Sequence, residues 1–109
     1  MQENYYTHAL WHVKEGKAEE FLVAWKKFAH SLSQVPNSPS VRGTLIQSIT
    51  DPLVFYSFGP WETLEDIHTM RNNEKVKLAF TEIVELCQDT KPAHYKTVMQ
   101  LTFPSSRKQ

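Results

Sequence analysis

One of the five histidines lies where a small protein could perform acid–base chemistry. It is His68, seven residues after Trp61 in the stretch SFGPWETLEDIHTMRNN. An imidazole with a free pKa of about 6.5 could accept a proton from an acidic phenol or hydroquinone at neutral pH. Because His68 follows Leu64 by four residues, we expect it on the helix face that packs against a sheet. The structural alternative is a hydrogen-bonded residue at the rim of the core, with Trp61 serving only as packing.

Other motifs that bind cofactors or metals are missing from the sequence. The spacing of the three glycines, Gly16, Gly43 and Gly59, matches neither a dinucleotide-binding turn nor a phosphate-binding loop. The chain has no cysteine pair, no H-E-x-x-H motif and no acidic calcium loop. On a strand, His8 and His12 would stand about 13 Å apart, which is too far to share one ion. We therefore predict no metal and no cofactor.

Length, charge and hydropathy limit the class of protein. The 109 residues suit one domain, 1–109, and a hydrophobic fraction of 40% can form one modest core. Twelve basic residues balance twelve acidic ones, so no positive field favours nucleic acid. Neither a leader-like N-terminus nor a run of about eighteen apolar residues is present, which predicts a cytoplasmic protein without a membrane partner. Cys87 is predicted to be a core residue.

Hydrophobic periodicity and turn residues divide the chain into regular elements. They are predicted as a strand at 5–14, a helix at 17–34, two strands joined at 50–52, a broken helix beginning at Thr63, and a last strand at 94–103. Asn72 or Asn73 could cap the second half of the broken helix, whose apolar stripe runs from Val76 to Cys87. Pro92 is predicted to close that helical segment.

The order of these elements predicts the fold. β-α-β-β-α-β is the split βαβ, or ferredoxin-like, arrangement of the α+β class. It has one four-stranded antiparallel sheet with the helices on one face. The core is predicted at 5–103, with a long loop at 35–43 and a frayed tail at 104–109.

Both faces of the predicted sheet are apolar, although helices can cover only one. The third strand places Phe55 and Trp61 on one side and Tyr56 and Phe58 on the other. Burying about 400 Å² of apolar surface on each of two copies would contribute roughly 20 kcal/mol before association costs. We therefore predict a two-fold homodimer packed sheet against sheet. The alternative is a monomer whose loops and C-terminal tail cover the second face.

Three segments in order, HVKEGKAEEFLVAWKKF, TDPLVFYSFGPWETLEDIHTM and NNEKVKLAFTEI, resemble the antibiotic biosynthesis monooxygenase domain family of dimeric α/β barrels. The resemblance covers roughly residues 5–101. It implies an enzyme that oxidises an aromatic polyketide or a quinol with molecular oxygen, without metal or flavin. His68 would be the base, and Trp61 would stack on the substrate. The implied pocket, between the sheet and the helices, would be lined by Trp61, Trp11, Phe55, Ser57, His68 and Phe80.

Several positions depart from the pattern of characterised branches of that family. Ser57 occupies the place of an asparagine in the polyketide-oxidising members, and Met70 and Lys75 replace two histidines of quinol-oxidising relatives. In the haem-degrading branch, a first-strand asparagine and a tryptophan and histidine of the broken helix correspond here to Ala9, Met70 and Phe80. Two hypotheses follow: a cofactor-independent monooxygenase for a small aromatic or quinol, or a non-catalytic dimer that binds an apolar ligand or another protein.

Overall fold

The computed structural model describes residues 4–107 and confirms the α+β ferredoxin-like fold. Seven elements follow one another along the chain: β1 (Tyr5–Val13), α1 (Ala18–Ser33), β2 (Thr44–Gln47), β3 (Val54–Trp61), α2 (Leu64–Asn72), α3 (Glu74–Glu85) and β4 (Cys87–Lys96). The four strands form one sheet in the order β2-β3-β1-β4, and every neighbouring pair is antiparallel. The central strands β1 and β3 therefore carry the residues best placed to form a core.

The core lies between the sheet and helices α1 and α3. Alternate side chains of β1 point toward the helices, so Trp11 and Val13 are fully buried there. They pack with Phe21 of α1 and Ile83 of α3, which are equally buried. This single cluster is what fixes both helices on one face of the sheet.

Side-chain caps begin both halves of the broken helix, as the sequence predicts. The Thr63 hydroxyl accepts a 3.0 Å hydrogen bond from the backbone N–H of Asp66 at the start of α2. The Asn73 side chain accepts from the backbone N–H groups of Lys75 and Val76, at 3.0 and 3.2 Å, at the start of α3. Because each cap satisfies donors that a helix leaves unpaired, the break between α2 and α3 is encoded locally.

The last strand begins seven residues earlier than predicted. Helix α3 ends at Glu85, and Cys87 is the first residue of β4 rather than part of the helical stripe. Pro92 does not close the segment but lies inside β4, opposite Ala9. β4 is an edge strand paired only with β1, so the N–H that proline lacks is not needed by a second neighbour.

Beyond β4 the chain leaves the sheet. Residues 97–107 have no regular secondary structure, so the predicted strand at 94–103 is wrong in its second half. The apolar side chains of this segment are largely exposed; they are Val98, Met99, Leu101 and Phe103.

The sheet face turned away from the helices is also apolar, as expected from the alternation. Tyr56 and Phe58 of β3 are 38% and 37% exposed, and Tyr95 of β4 is 54% exposed. The His8 ring lies between two of them, with centroids 5.4 Å from Tyr56 and 5.7 Å from Tyr95. Within residues 4–107 no helix is long and apolar enough to cross a membrane.

Candidate functional site

A cavity of about 330 Å³ lies on the helix side of the sheet. Strands β1 and β3 contribute one wall, helices α1, α2 and α3 contribute others, and the loop at 35–43 adds part of the last. Its volume falls at the lower end of the range of small-molecule sites. Its lining residues include Thr7, Trp11, Trp25, Ser57, Trp61, Arg71 and Phe80.

Two hydroxyl groups on the sheet are held by tryptophan side chains. The indole N–H of Trp11 donates to the buried hydroxyl of Ser57 over 2.9 Å. The indole N–H of Trp61 donates to the hydroxyl of Thr7 over 3.1 Å. An indole can only donate, so both hydroxyls act as acceptors in these bonds and keep their own protons available. Each cavity hydroxyl can therefore donate to an oxygen atom of a ligand.

Aromatic rings form the apolar part of the cavity. The Trp11 ring meets Trp25 edge to face at a centroid distance of 5.7 Å, and it meets Phe80 at 5.5 Å. Phe28 lies 5.2 Å from Trp25 and 5.9 Å from Phe80. Tilted and edge-on rings of this kind pack favourably, so the apolar part of the cavity is aromatic.

The loop at 35–43 reaches the cavity by crossing close over β3. At Gly59 a side-chain Cβ would overlap the backbone carbonyl oxygen of Arg42 and would lie 3.3 Å from the Cα of Gly43. Only glycine leaves room for this approach, since no other residue lacks a Cβ. Gly59 therefore allows Val41 and Arg42 to line the cavity.

The polar rim of the cavity is cationic. Arg42, Arg71 and Lys77 line it, whereas no aspartate or glutamate among the described residues does. The Arg71 guanidinium carbon lies 5.6 Å from the centroid of the Phe80 ring, within cation–π range. Burial lowers the pKa of Arg71 from its ordinary value, although a guanidinium keeps its proton in proteins. The rim can therefore attract and hold an anionic group.

His68 does not face this cavity, contrary to the sequence-based expectation. Its side chain is exposed, and its ring lies 6.4 Å from that of His94 on β4. Ile67 and Met70 are the buried residues of α2, and they define its inward face. At 100° per residue, His68 points about 130° away from the middle of that face. The exposed Leu64 was a poor guide to the orientation of the helix.

The other predicted pocket residues divide into two groups. Four of them line the cavity: Trp11, Ser57, Trp61 and Phe80. Phe55 instead lies in the main core, 2% exposed and 4.7 Å from the Phe21 ring, so it supports the cavity without lining it.

Sequence reasoning missed Thr7 and Arg71. Arg71 follows the buried Ile67 by four residues, and this spacing would have placed it on the inward face of α2. Thr7 points to the same side of β1 as Trp11, but nothing local indicates that its hydroxyl meets an indole 54 residues away.

The fold, the aromatic cavity and the sequence agree on one family. Residues 4–82 match the family model for antibiotic biosynthesis monooxygenase, so the chain belongs to that family. No curated protein matches the sequence significantly.

Solved structures with the same fold include enzymes and uncharacterised proteins. SnoaB, a cofactor-independent oxygenase from Streptomyces nogalater, is 14% identical with a TM-score of 0.73; the match covers 95% of this chain and 100% of SnoaB. A candidate antibiotic biosynthesis monooxygenase from Caulobacter crescentus CB15 is 17% identical with a TM-score of 0.75, over 90% and 92% of the two chains. A conserved protein from Methanosarcina mazei Go1 is 16% identical with a TM-score of 0.74, over 87% and 93%. At these identities the similarity establishes the fold alone.

Proposed function

We propose that the protein is a cofactor-independent monooxygenase that oxidises a small aromatic phenol or quinol with molecular oxygen. Its family membership and the fold it shares with SnoaB support this class of reaction. The observation that carries the proposal is the pairing of the Trp11 indole with the Ser57 hydroxyl in an aromatic cavity. A hydroxyl that accepts from an indole is polarised and becomes a stronger donor to a developing phenolate.

The reaction would start with loss of the phenolic proton. Because no carboxylate among the described residues lines the cavity, the proton would pass to water at the rim. Hydrogen bonds from Ser57 and Thr7 would stabilise the phenolate and lower the pKa of the bound phenol. The electron-rich anion would then transfer an electron to O2, and the two radicals would combine at a ring carbon. The peroxide would take up a proton from water, and the O–O bond would break as the ring carbon loses its hydrogen. Water would leave with the distal oxygen atom, and the other oxygen atom would remain in the quinone.

Oxygen uptake with a panel of hydroquinones and phenols tests this proposal. Wild-type protein is expected to consume oxygen faster than buffer, and ¹⁸O from ¹⁸O2 should appear in the product. Ser57→Ala should lower the rate by about 10-fold or more, because one donor to the developing anion is lost. His68→Ala should leave the rate unchanged, since this side chain does not line the cavity. No uptake by the wild type, or equal uptake by wild type and Ser57→Ala, would contradict the proposal.

A second candidate function is ligand binding without catalysis. The specific observation that favours it is the outward orientation of His68 together with the lack of a lining carboxylate among residues 4–107. With neither group available as a base, the cavity could hold an aromatic molecule and leave it unchanged. Quenching of tryptophan fluorescence by a phenol that is recovered unaltered after incubation in air would support this function over the first.

We also propose that two copies associate through the sheet face opposite the helices. Tyr56, Phe58 and Tyr95 are partly exposed there and form an apolar surface that a second copy could cover. Sedimentation equilibrium at micromolar concentration should give twice 12.7 kDa. Tyr56→Arg should shift the protein toward the monomer, whereas Leu78→Arg, at an exposed apolar position on helix α3, should not. A monomeric wild type would exclude this assembly.

A further inference from the structure

The cavity is divided into an aromatic interior and a cationic rim. Its interior is formed by the rings of Trp11, Trp25, Phe28 and Phe80, whereas three cations line its polar part. No aspartate or glutamate among the described residues lines the cavity, although Lys77 pairs with Glu74 over 4.0 Å. A ligand that matches both parts must combine a flat apolar body with a negative group.

Arg71 is the rim cation best placed to pair with a ligand. Its guanidinium packs against the Phe80 ring at 5.6 Å and forms no ion pair with any carboxylate among residues 4–107. The charge of Arg71 reaches His94, which can only add positive charge. The Arg71 side chain is exposed at the cavity rim, so a bound carboxylate could pair with its guanidinium through two parallel hydrogen bonds.

The hydroxyls of Ser57 and Thr7 complement this arrangement from the sheet. Both accept from indole N–H groups and can donate to a neutral or ionised ligand oxygen. They lie on adjacent strands, where Ser57 pairs with Ala9 and Thr7 with Gly59. A ligand oxygen on the sheet side of the cavity can therefore meet a hydroxyl donor.

We infer that the cavity binds a hydroxylated aromatic carboxylate of one or two fused rings, with its ring among the tryptophans and its carboxylate at Arg71. This inference rests on the proposed function in taking the cavity as the substrate site. It goes further by requiring a fixed negative charge remote from the oxidised ring position. A neutral hydroquinone of the same size would satisfy the aromatic interior and leave Arg71 unpaired.

Binding of two isosteric probes in the absence of oxygen tests the inference. The probes are 6-hydroxy-2-naphthoate and its neutral analogue 6-hydroxy-2-naphthamide, and quenching of tryptophan fluorescence gives the affinities. The wild type should bind the carboxylate at least about 10-fold more tightly than the amide, as expected for a charge-assisted pair. Arg71→Met should reduce this ratio to about one while preserving the affinity for the amide. Arg71→Lys should retain part of the preference.

Arg107→Met is the matched control, because Arg107 is an exposed arginine outside the cavity and its loss should leave the ratio unchanged. Circular dichroism verifies that each variant is folded. Equal affinities of the wild type for the two probes, binding of neither, or an unchanged ratio in folded Arg71→Met would overturn the inference. Oxygen uptake is measured separately. A preference for the carboxylate without oxygen uptake would support the binding inference and contradict the proposed monooxygenase activity. Oxygen uptake with neutral quinols and no preference for the carboxylate would support the activity and contradict the binding inference.

Discussion

The indole nitrogen of Trp11 and the hydroxyl oxygen of Ser57 lie 2.9 Å apart, joining β1 to β3 beneath the cavity. Both residues are buried, so each provides the hydrogen-bond partner that the other's polar group needs in an apolar environment. The bond therefore serves stability and also sets the direction in which the Ser57 proton can be donated.

Ser57→Ala should destabilise the fold by about 1–3 kcal/mol, because it leaves the buried Trp11 N–H without an acceptor. Urea denaturation of wild type, Ser57→Ala, Trp11→Phe and the double variant measures the coupling between the two side chains. We expect a coupling free energy of about 1 kcal/mol, since the double variant removes both polar partners. Strictly additive losses would show that the hydrogen bond contributes nothing.

Gly59→Ala should displace the loop at 35–43 and destabilise the protein by about 1–3 kcal/mol through overpacking. The new methyl would overlap the Arg42 carbonyl oxygen, which belongs to backbone and cannot rotate away. Gly43→Ala is the matched control, because its Cβ would only meet the Phe58 carbonyl oxygen at 3.9 Å. Thermal denaturation should therefore separate the two variants. Similar melting temperatures for both would contradict the close approach.

His94 should titrate below its ordinary pKa of 6.5, because partial burial and the positive charges of Arg71 and His68 disfavour its protonated form. As the pH falls below 6.5, His94 takes up a proton in the unfolded chain before it does so in the folded protein. The free energy of unfolding therefore decreases progressively until the pH reaches the pKa of His94 in the folded protein. Proton NMR measures the value directly. Arg71→Met should raise it, and Arg107→Met should not. A His94 pKa that does not respond to Arg71→Met would contradict this electrostatic assignment.

Cys87 should react slowly with iodoacetamide in the folded protein. Burial raises the pKa of its thiol from 9.0 to about 11, with Lys14 opposing the shift, and its Sγ donates to the Ile83 carbonyl oxygen over 3.5 Å. At pH 8 the shift reduces the thiolate about 100-fold, and limited access slows the reaction further. Mass spectrometry should detect rapid alkylation only in urea. Equal rates with and without urea would show that the thiol is accessible.

Local signals were sufficient for much of the fold. The caps at Thr63 and Asn73 depend on residues two or three positions away, and the structure confirms both. The two faces of β1 follow from strict alternation, which places Trp11 and Val13 toward the helices. These features need no knowledge of the rest of the chain.

The errors arose where distant parts of the chain decide the outcome. The apolar stripe of α3 runs on into Cys87, so periodicity alone could not show that the helix ends at Glu85. Pro92 is tolerated in β4 because that strand is at the edge of the sheet, which is a property of the topology.

Much of the candidate site also depends on tertiary structure. The inward face of α2 is set by contacts of Ile67 and Met70, and these point His68 away from the cavity. The close approach of the loop to Gly59 depends on the backbone of Arg42 and Gly43, seventeen and sixteen residues earlier in the sequence. Four aromatic and polar residues of the cavity, Trp11, Ser57, Trp61 and Phe80, nevertheless lie where the family resemblance implied.

The environment of Cys87 has a consequence for the proposed oxidation, which would release quinones. Such products are electrophiles that add to sulfur, yet on the order of 10⁻⁴ of this thiol is ionised at pH 7, and the chain has no other cysteine. A quinone formed in the cavity would thus meet almost no sulfur nucleophile on this chain, and self-arylation at cysteine would not end repeated turnover.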